Sequence, residues 1–288
     1  MYFKKIFIIT FIFFTSYVMS AQIALKLQLN RSQYLTYENI YAKLTLRNMS
    51  GRPLVFGNNP KFEGNLQFDI IGPNGIKAPL INKKQSPLLG KVIPPGVSEI
   101  LVIQLSKMYK IRKDGEYVIK AIISHSQLSD KYQSNKLHFT ITRGVTLWKR
   151  TVGIPTIESL NKDTKIESRN YKIISFYDGK DKVYCLVVED EKYVYGVARI
   201  GYDIGADKPQ CEVDRLSKIH ILIQSSPEIF SYYVYDNGCR LENKKVYRKT
   251  NSTPTLRRNS EAGDIVVSGG EKALQGSDYQ EINENNYN

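Results

Sequence analysis

Apolar and polar residues alternate in short runs along most of the chain. Ile23-Ala24-Leu25-Lys26-Leu27-Gln28-Leu29 alternates cleanly, and Ile40 to Leu46 repeats the pattern with Ile40, Ala42, Leu44 and Leu46 on one face. A period of two sends successive side chains to opposite faces of a sheet, so these runs predict strands half-buried on one side. Leu54-Val55-Phe56 follows a turn at Asn48 to Pro53, and Leu66 to Ile70 alternates up to Gly72-Pro73-Asn74-Gly75. Further runs at Ser98–Leu105, Glu116–Ile123 and Leu137–Thr142 each follow a turn or loop segment. Nothing beyond the first twenty residues sustains helical spacing. The runs are rich in Tyr, Val and Ile, as strands are. About seven strands at intervals of a dozen residues predict a β-sandwich over residues 21–144.

The order of features in this half resembles a known architecture. Tyr37-Glu38-Asn39-Ile40, Asn48-Met49-Ser50 with Pro53-Leu54, Phe68 with Gly75, Pro95-Gly96 and Gly115-Glu116-Tyr117 resemble the immunoglobulin-like sandwiches of exported bacterial proteins. They are also similar to the fold of the BsuPI-type proteinase inhibitors. The likeness covers roughly residues 22–143 and rests on turn residues and strand rhythm. It implies an immunoglobulin-like fold and, as a further implication, protease inhibition; no reactive-site motif matches.

Residues 145–155 read as a junction holding Trp148, the one tryptophan. A lone aromatic at a seam has two uses: packing the domains together, or stacking on a ligand. The rhythm then restarts. Tyr171–Phe176 leads through Asp178-Gly179-Lys180 into Lys182–Val188, and Glu189 to Lys192 turns the chain into Tyr193–Ile200. An Asp-Gly pair between alternating runs is a strong local hairpin signal. A loop over Gly201–Asp214 precedes runs at Leu216–Gln224, Ile229–Asp236, Lys244–Arg248 and Asp264–Ser268. Residues 156–270 are therefore expected to form a second antiparallel β domain, giving an all-β chain. Residues 271–288 are polar and poor in apolar residues and are expected to be disordered.

The N-terminus changes the setting. Met1-Tyr2-Phe3-Lys4-Lys5 is a basic start, Ile6–Phe14 is almost entirely Ile and Phe, and Ser16–Ala21 supplies small residues around a cut after Ser20. Those are the three parts of a secretory signal, so residues 1–20 are expected to be removed on export to the periplasm or beyond. The apolar run falls short of the roughly 20 residues that cross a bilayer, and no second long run follows. No Cys follows the small residues, which argues against a lipid-anchored start.

Net charge is +13, falling to +11 when Lys4 and Lys5 leave with the signal. A basic surface suits anionic partners, here envelope protein or anionic polysaccharide; export argues against nucleic acid. The densest group is Lys244, Lys245, Arg248 and Lys249, with Arg257-Arg258 nearby. These charges serve equally as a solvated strand face.

Candidate chemistry is sparse. Cys185 lies inside an apolar run, whereas Cys211 and Cys239 flank two apparent strands joined at Ser225–Glu228. Pairing outward from that turn brings Cys239 opposite position 214, so a Cys211–Cys239 disulfide is expected. His125 and His138 fall on neighbouring strands without a third metal ligand. His220 lies within sequence reach of Cys211, Asp214 and Cys239, but a Cys/His nucleophile needs a free thiolate, which the bridge would remove. Asp203, Asp207 and Asp214 lack calcium-loop spacing. No nucleophile elbow, phosphate loop or HExxH occurs, and neither catalytic, metal-binding nor cofactor-binding residues are assigned. Three functions stand at this point. The leading one is a non-enzymatic binding or scaffold module of the cell envelope with tyrosine-rich contact faces. The others are a protease inhibitor and an envelope hydrolase using carboxylates converged from distant strands.

Overall fold

The computed structural model describes residues 22–81, 86–154, 167–205, 207–259 and 263–280. The expected signal segment lies outside them. The protein is all-β. Its first half contains β1 (Ile23–Leu29), β2 (Gln33–Leu35), β3 (Tyr41–Asn48), β4 (Leu54–Val55), β5 (Gly64–Ile71), β6 (Val92–Ile93), β7 (Ser98–Gln104), β8 (Gly115–His125), β9 (Tyr132–Gln133) and β10 (Leu137–Thr142). One sheet runs β1-β3-β7 and a second β2-β10-β8-β5, with β9 added to β8.

Alternation does what the sequence predicted. Ala42, Leu44 and Leu46 of β3 are fully buried. They share one core with Leu66, Phe68 and Ile70 of β5 and Tyr117, Ile119, Ala121 and Ile123 of β8. The turn after β3 is fastened by a buried polar side chain. Asn48 Nδ2 donates to the carbonyls of Arg52 (2.7 Å) and Ile93 (2.8 Å), while its Oδ1 accepts from Ser50 N at 2.9 Å. Burying an amide costs little when its groups are satisfied in this way. One pairing departs from the antiparallel pattern. The chain leaves the first sheet after β1, lays β2 parallel to β10 on the edge of the other, and returns as β3. That detour buries Tyr34 in the first core and leads through Leu35 into Glu38, the two residues that meet the second domain.

The second half continues with β11 (Val145–Gly153), β12 (Ser168–Tyr177), β13 (Lys182–Glu189), β14 (Val194–Tyr202), β15 (Gln210–Val213), β16 (Ile219–Gln224), β17 (Ile229–Tyr235), β18 (Leu241–Arg248), β19 (Thr255–Arg258), β20 (Ile265–Ser268) and β21 (Glu271–Lys272). β11-β12-β13-β14 form one meander, and β15-β16-β17-β18-β21 a second sheet. Their facing sides share a core that includes Tyr171, Ile173, Leu186 and Val188 from the first and Ile219, Ile221 and Ile223 from the second. The far side of the second sheet, with Leu222, Phe230, Tyr232 and Val234, is covered by Leu256 and Val267 of the β19–β20 hairpin. Three layers result.

Three expectations need correction here. The junction at 145–155 is the edge strand β11, pairing Trp148 with Ile173; a register shift between Thr146 and Trp148 breaks the alternation that would have marked it. The loop over 201–214 contains β15, too short for its period to register. The tail expected from residue 271 begins as β21, whose Lys272 pairs with Tyr247, and Ala273 is buried behind it. Residues 281–288 lie outside the described ones.

The domains meet across the outer face of the β11–β14 sheet. Leu35, fully buried, packs against Ile174, Phe176, Val183, Cys185 and Val187. Beside it Arg199 Nε donates to Glu38 Oε1 at 2.6 Å and Arg199 Nη1 to Asp178 Oδ2 at 2.6 Å. Leu35 N donates to the other Glu38 oxygen at 2.9 Å, and the Arg199 guanidinium lies 5.2 Å over the Phe176 ring. The three side chains are only 7–11 % exposed. Burial alone would lower the Arg199 pKa, but its bonds to Glu38 and Asp178 outweigh it and raise the value.

Removing one member of a buried ion pair strands the other, which costs about 3–5 kcal/mol. Arg199→Ala is expected to lose that much in chemical denaturation and to separate the unfolding of the two domains. A triple replacement, Glu38→Gln and Asp178→Asn with Arg199→Met, which leaves no buried charge stranded, should restore most of it. Asp178 adds a pH dependence. Burial raises its pKa, but hydrogen bonds from Asp181 N, Arg199 and Lys180 N hold it below the ordinary carboxylate value. Its contribution is therefore complete above the unfolded value of about 3.9 and is lost as pH falls through the lower folded value. Acid unfolding should steepen below about pH 4, and Asp178→Asn should flatten that limb.

Candidate functional site in the cleft between the domains

The two sheets of the second domain do not overlap fully. β14 is the edge of its sheet, so the inner face of the other sheet over β17 and β18 extends past it. Alternation then sets the floor of a cleft. Ser231, Tyr233 and Tyr235 point the same way from β17, and their register partners on β18 are Val246, Lys244 and Leu241. All six line a cleft of about 850 Å³.

Its walls come from three places. Val197, Arg199, Ile200, Gly201 and Tyr202 belong to β14; Asn30, Arg31, Glu38, Asn39 and Tyr41 come from the β1–β3 connection and the start of β3; Asp278, Tyr279 and Gln280 close the far side. Two glycines let β14 lie this close to the opposing sheet. A Cβ at Gly196 would stand 2.6 Å from the Cys239 Cβ, and one at Gly201, where φ is +148°, would stand 2.4 Å from Ile223 Cδ1. The Cys239 contact excludes a larger side chain at Gly196, and at Gly201 the positive φ is what favours glycine.

On the floor, the Tyr233 and Tyr235 rings lie 6.3 Å apart at 32° to one another. Lys244 Nζ stands 6.0 Å from the Tyr233 ring centroid, a loose cation–π contact. Tyr233 is half-buried and Lys244 exposed. Tyr235 is almost fully buried, and desolvation pushes its phenol well above the usual value. Among the described residues two carboxylates line the cleft, and both are engaged. Glu38 is held by Arg199 and Leu35 N, with Arg31 Nη1 at 3.5 Å. Asp278 Oδ2 accepts from Leu274 N at 2.8 Å. Neither is poised as a proton donor or nucleophile; the lining offers flat aromatic faces, hydroxyls and fixed charge.

The residues singled out from sequence lie elsewhere. Trp148 packs with Leu147 on the second domain's core and does not line the cleft. The expected Cys211–Cys239 bridge is absent, and all three cysteines are free thiols. The chain reverses at Asp214–Lys218, so Cys211 runs back along the far side of β16, opposite Ile221. Cys239 sits beyond the other edge of β17, in the turn to β18. Two strand spacings are roughly 10 Å, beyond the span a disulfide bridges.

His220 points to the opposite face of that sheet from Cys211 and cannot activate its thiol. It bonds Tyr232 Oη at 2.6 Å through Nδ1 and Asp214 Oδ2 at 3.2 Å through Nε2, a buried relay beneath the β19–β20 layer. His125 Nε2 bonds the Val55 carbonyl at 2.8 Å, whereas His138 is exposed beside Val118. Among the described residues no group of three His, Cys, Asp or Glu side chains could hold a metal, and no helix is long and apolar enough to cross a membrane.

Sequence reading anticipated part of the cleft. Period-two alternation along the run at Ile229–Asp236 sends Tyr232 to the face opposite Tyr233 and Tyr235, as observed, and Lys244 falls in the densest basic group. It missed Glu38, Arg199 and Tyr279, which carry no local signal of convergence. Comparisons with protein-family models, with curated proteins and with solved structures match the chain to none of them.

The thiols give a direct check on the free-cysteine assignment. Burial, with Glu212 adding for one and Asp236 for the other, pushes Cys211 and Cys239 up to about 12, and burial raises Cys185 further. Thiolate is the reactive form, so the folded protein at pH 7.5 should label slowly with a maleimide. Denatured without reductant, it should take up three maleimides by mass spectrometry. Uptake of only one would show that a disulfide exists.

Proposed function

We propose that this protein is an exported, non-enzymatic binding module of the cell envelope, which takes its ligand in the cleft between its two domains. The observation that carries the reading is the cleft itself. A floor ladder of two tyrosines, a serine and a lysine is walled by both domains, and its carboxylates are already committed to arginine and backbone partners. Pockets with a few converging polar groups and aromatic faces are the default binding sites of a fold.

Export is supported by the basic start, apolar run and small residues of the first 21 positions. The first domain is read as an immunoglobulin-like sandwich of the exported bacterial kind. Two sheets around a single core are consistent with that reading. A fold of this type hosts many functions, so the function is argued from the site.

Two measurements test the proposal. Expressed in a bacterial host with its N-terminus intact, the chain should appear outside the cytoplasm with a mass lacking residues 1–20. Immobilised, it should capture a component of its own envelope extract that survives high salt. Ser226→Trp, which places an indole in the cleft at a half-buried side chain, should abolish that capture without lowering the melting temperature. Lys149→Ala, on the exposed face of β11, should not. Capture that fades with salt, or that ignores Ser226→Trp, would remove the cleft as the binding site.

A further inference from the structure

We infer that two copies of this chain associate through β7, whose free edges pair antiparallel about a two-fold axis at Leu101. The inference stands apart from the cleft and from whatever the cleft binds.

A strand edge with unpaired N–H and C=O groups invites another strand, and folded chains blunt such edges. Every other edge of the four larger sheets is blunted among the described residues. Asn135 caps β1, its Oδ1 accepting from Leu27 N at 2.8 Å and its Nδ2 donating to Leu27 O at 3.1 Å. On β5, Phe68 N donates to Tyr109 Oη at 2.9 Å, and Ile70 O accepts from Ala78 N at 2.8 Å. The pairings of β11 and β14 carry register shifts, which twist an edge away from a new partner. β2, β15 and β21 run for only two to four residues.

β7 has no such device. Ser98–Gln104 runs in unbroken register against β3 without Pro or Gly, and β3 is its one strand partner among the described residues. The ladder shows which groups face outward. Leu105 N donates to Ile40 O and Asn48 N to Val97 O, so Val97, Glu99, Leu101, Ile103 and Leu105 are the positions bonded toward β3. The N–H and C=O groups of Ser98, Ile100, Val102 and Gln104 therefore point to the free edge. Their side chains lie on the outer face of the sheet, where Ile100 is 56 % and Val102 47 % exposed. The strand's one charge, Glu99, is paired with Lys91 Nζ at 2.5 Å.

A second copy is the occupant this edge fits. Two-fold pairing centred on Leu101 sets Ile100 against Val102 of the other copy, and Ser98 against Gln104. Both are hydrogen-bonded pairs, so every outward residue of both strands finds a partner. A centre at Ile100 or at Val102 leaves one end unpaired. Ile opposite Val, repeated by the symmetry, is a β-branched cross-strand contact of the kind that stabilises sheets. Charge is compatible as well. Lys43 lies beside Val102 on β3, so the two Lys43 side chains stand three strand spacings apart. That is about 14 Å, beyond the screening length of about 8 Å. The contact falls short of the roughly 1,200 Å² of a stable complex, so the dimer should separate on dilution.

Sedimentation velocity of the full chain over a concentration series tests the pairing. The sedimentation coefficient should rise from monomer toward dimer with concentration. High salt should strengthen association, because it screens repulsion between two chains of charge +13. Val102→Lys, which sets a charge against Ile100 of the other copy, should weaken association at least about tenfold. Ile100→Pro removes an outward N–H without touching the bonds to β3, and should do the same. Val102→Lys alters an exposed side chain and keeps the test open if Ile100→Pro unfolds. Val145→Lys, at an exposed apolar residue of β11, should leave association unchanged. For the register, an equimolar mixture of Ile100→Cys and Val102→Cys should give a disulfide-linked dimer under mild oxidation. Either variant alone should give far less.

A monomer at every concentration would overturn the proposal, as would a dimer that Val102→Lys leaves intact. A dimer that high salt dissolves would be held by charge and not by a strand edge. Equal cross-linking in the mixture and in the single variants would refute the centre at Leu101. A chain that stays monomeric yet captures an envelope protein, with capture lost in Val102→Lys, would give the edge to a foreign strand instead. None of these outcomes touches the Ser226→Trp result, so the edge and the cleft stand or fall separately.

Discussion

Arg199 reaches across the domain boundary from β14 with one nitrogen on Glu38 and another on Asp178, each at 2.6 Å, and much of the architecture depends on that grip. The arginine is almost out of water, so its charge is tolerated only because two carboxylates and the Phe176 face surround it. Glu38 in turn needs Arg199 and the Leu35 amide to satisfy its oxygens. The detour of β2 to the edge of the second sheet exists in the same place, delivering Leu35 to an apolar patch and Glu38 to the guanidinium. Apolar contact supplies area and the ion network supplies direction, fixing which face of the second domain meets the first.

The cleft is a consequence of that arrangement. With the first domain attached to the outer face of β12–β14, its β1–β3 connection projects past the edge strand β14. The inner face of β17–β18 extends past the same edge from the other side. Neither domain encloses the space alone. Glu38 and Arg199 belong both to the interface and to the cleft wall, so the shape of the cleft and the domain geometry are physically linked.

The unused chemistry of the chain has structural employment. The Asp214–His220–Tyr232 relay sits under the β19–β20 layer, where burial and the nearby Tyr247 and Asp214 charges push the Tyr232 phenol up to about 12. Satisfying three polar groups in one chain of hydrogen bonds keeps a polar patch inside an otherwise apolar layer. Arg169 does similar work at the opposite end of β12, its guanidinium 3.8 Å over the Tyr195 ring while the Tyr195 hydroxyl donates to Asp190 at 2.6 Å. The cysteines act as small apolar residues, two of them on the second core and Cys185 at the domain interface.

The sequence by itself determined the all-β class, the positions of most strands, the Asp178-Gly179 hairpin and the faces on which Tyr232, Tyr233 and Tyr235 lie. Each follows from a period of two or from turn chemistry within a few residues, and burial enforces it because a one-residue slip would expose a whole core face. Tertiary structure alone decided the rest. Glu38 and Arg199 are 161 residues apart, and no local pattern announces that they will meet. The disulfide expectation failed for the same reason: it extended a hairpin register past a turn at Asp214–Lys218 that sends the chain to the other side of β16. β11 and β15 escaped notice because an edge strand with a bulge and a four-residue strand carry too few alternations to read. The cleft lay furthest from view, since it arises where two sheets overlap incompletely, and that overlap depends on how non-adjacent strands pack.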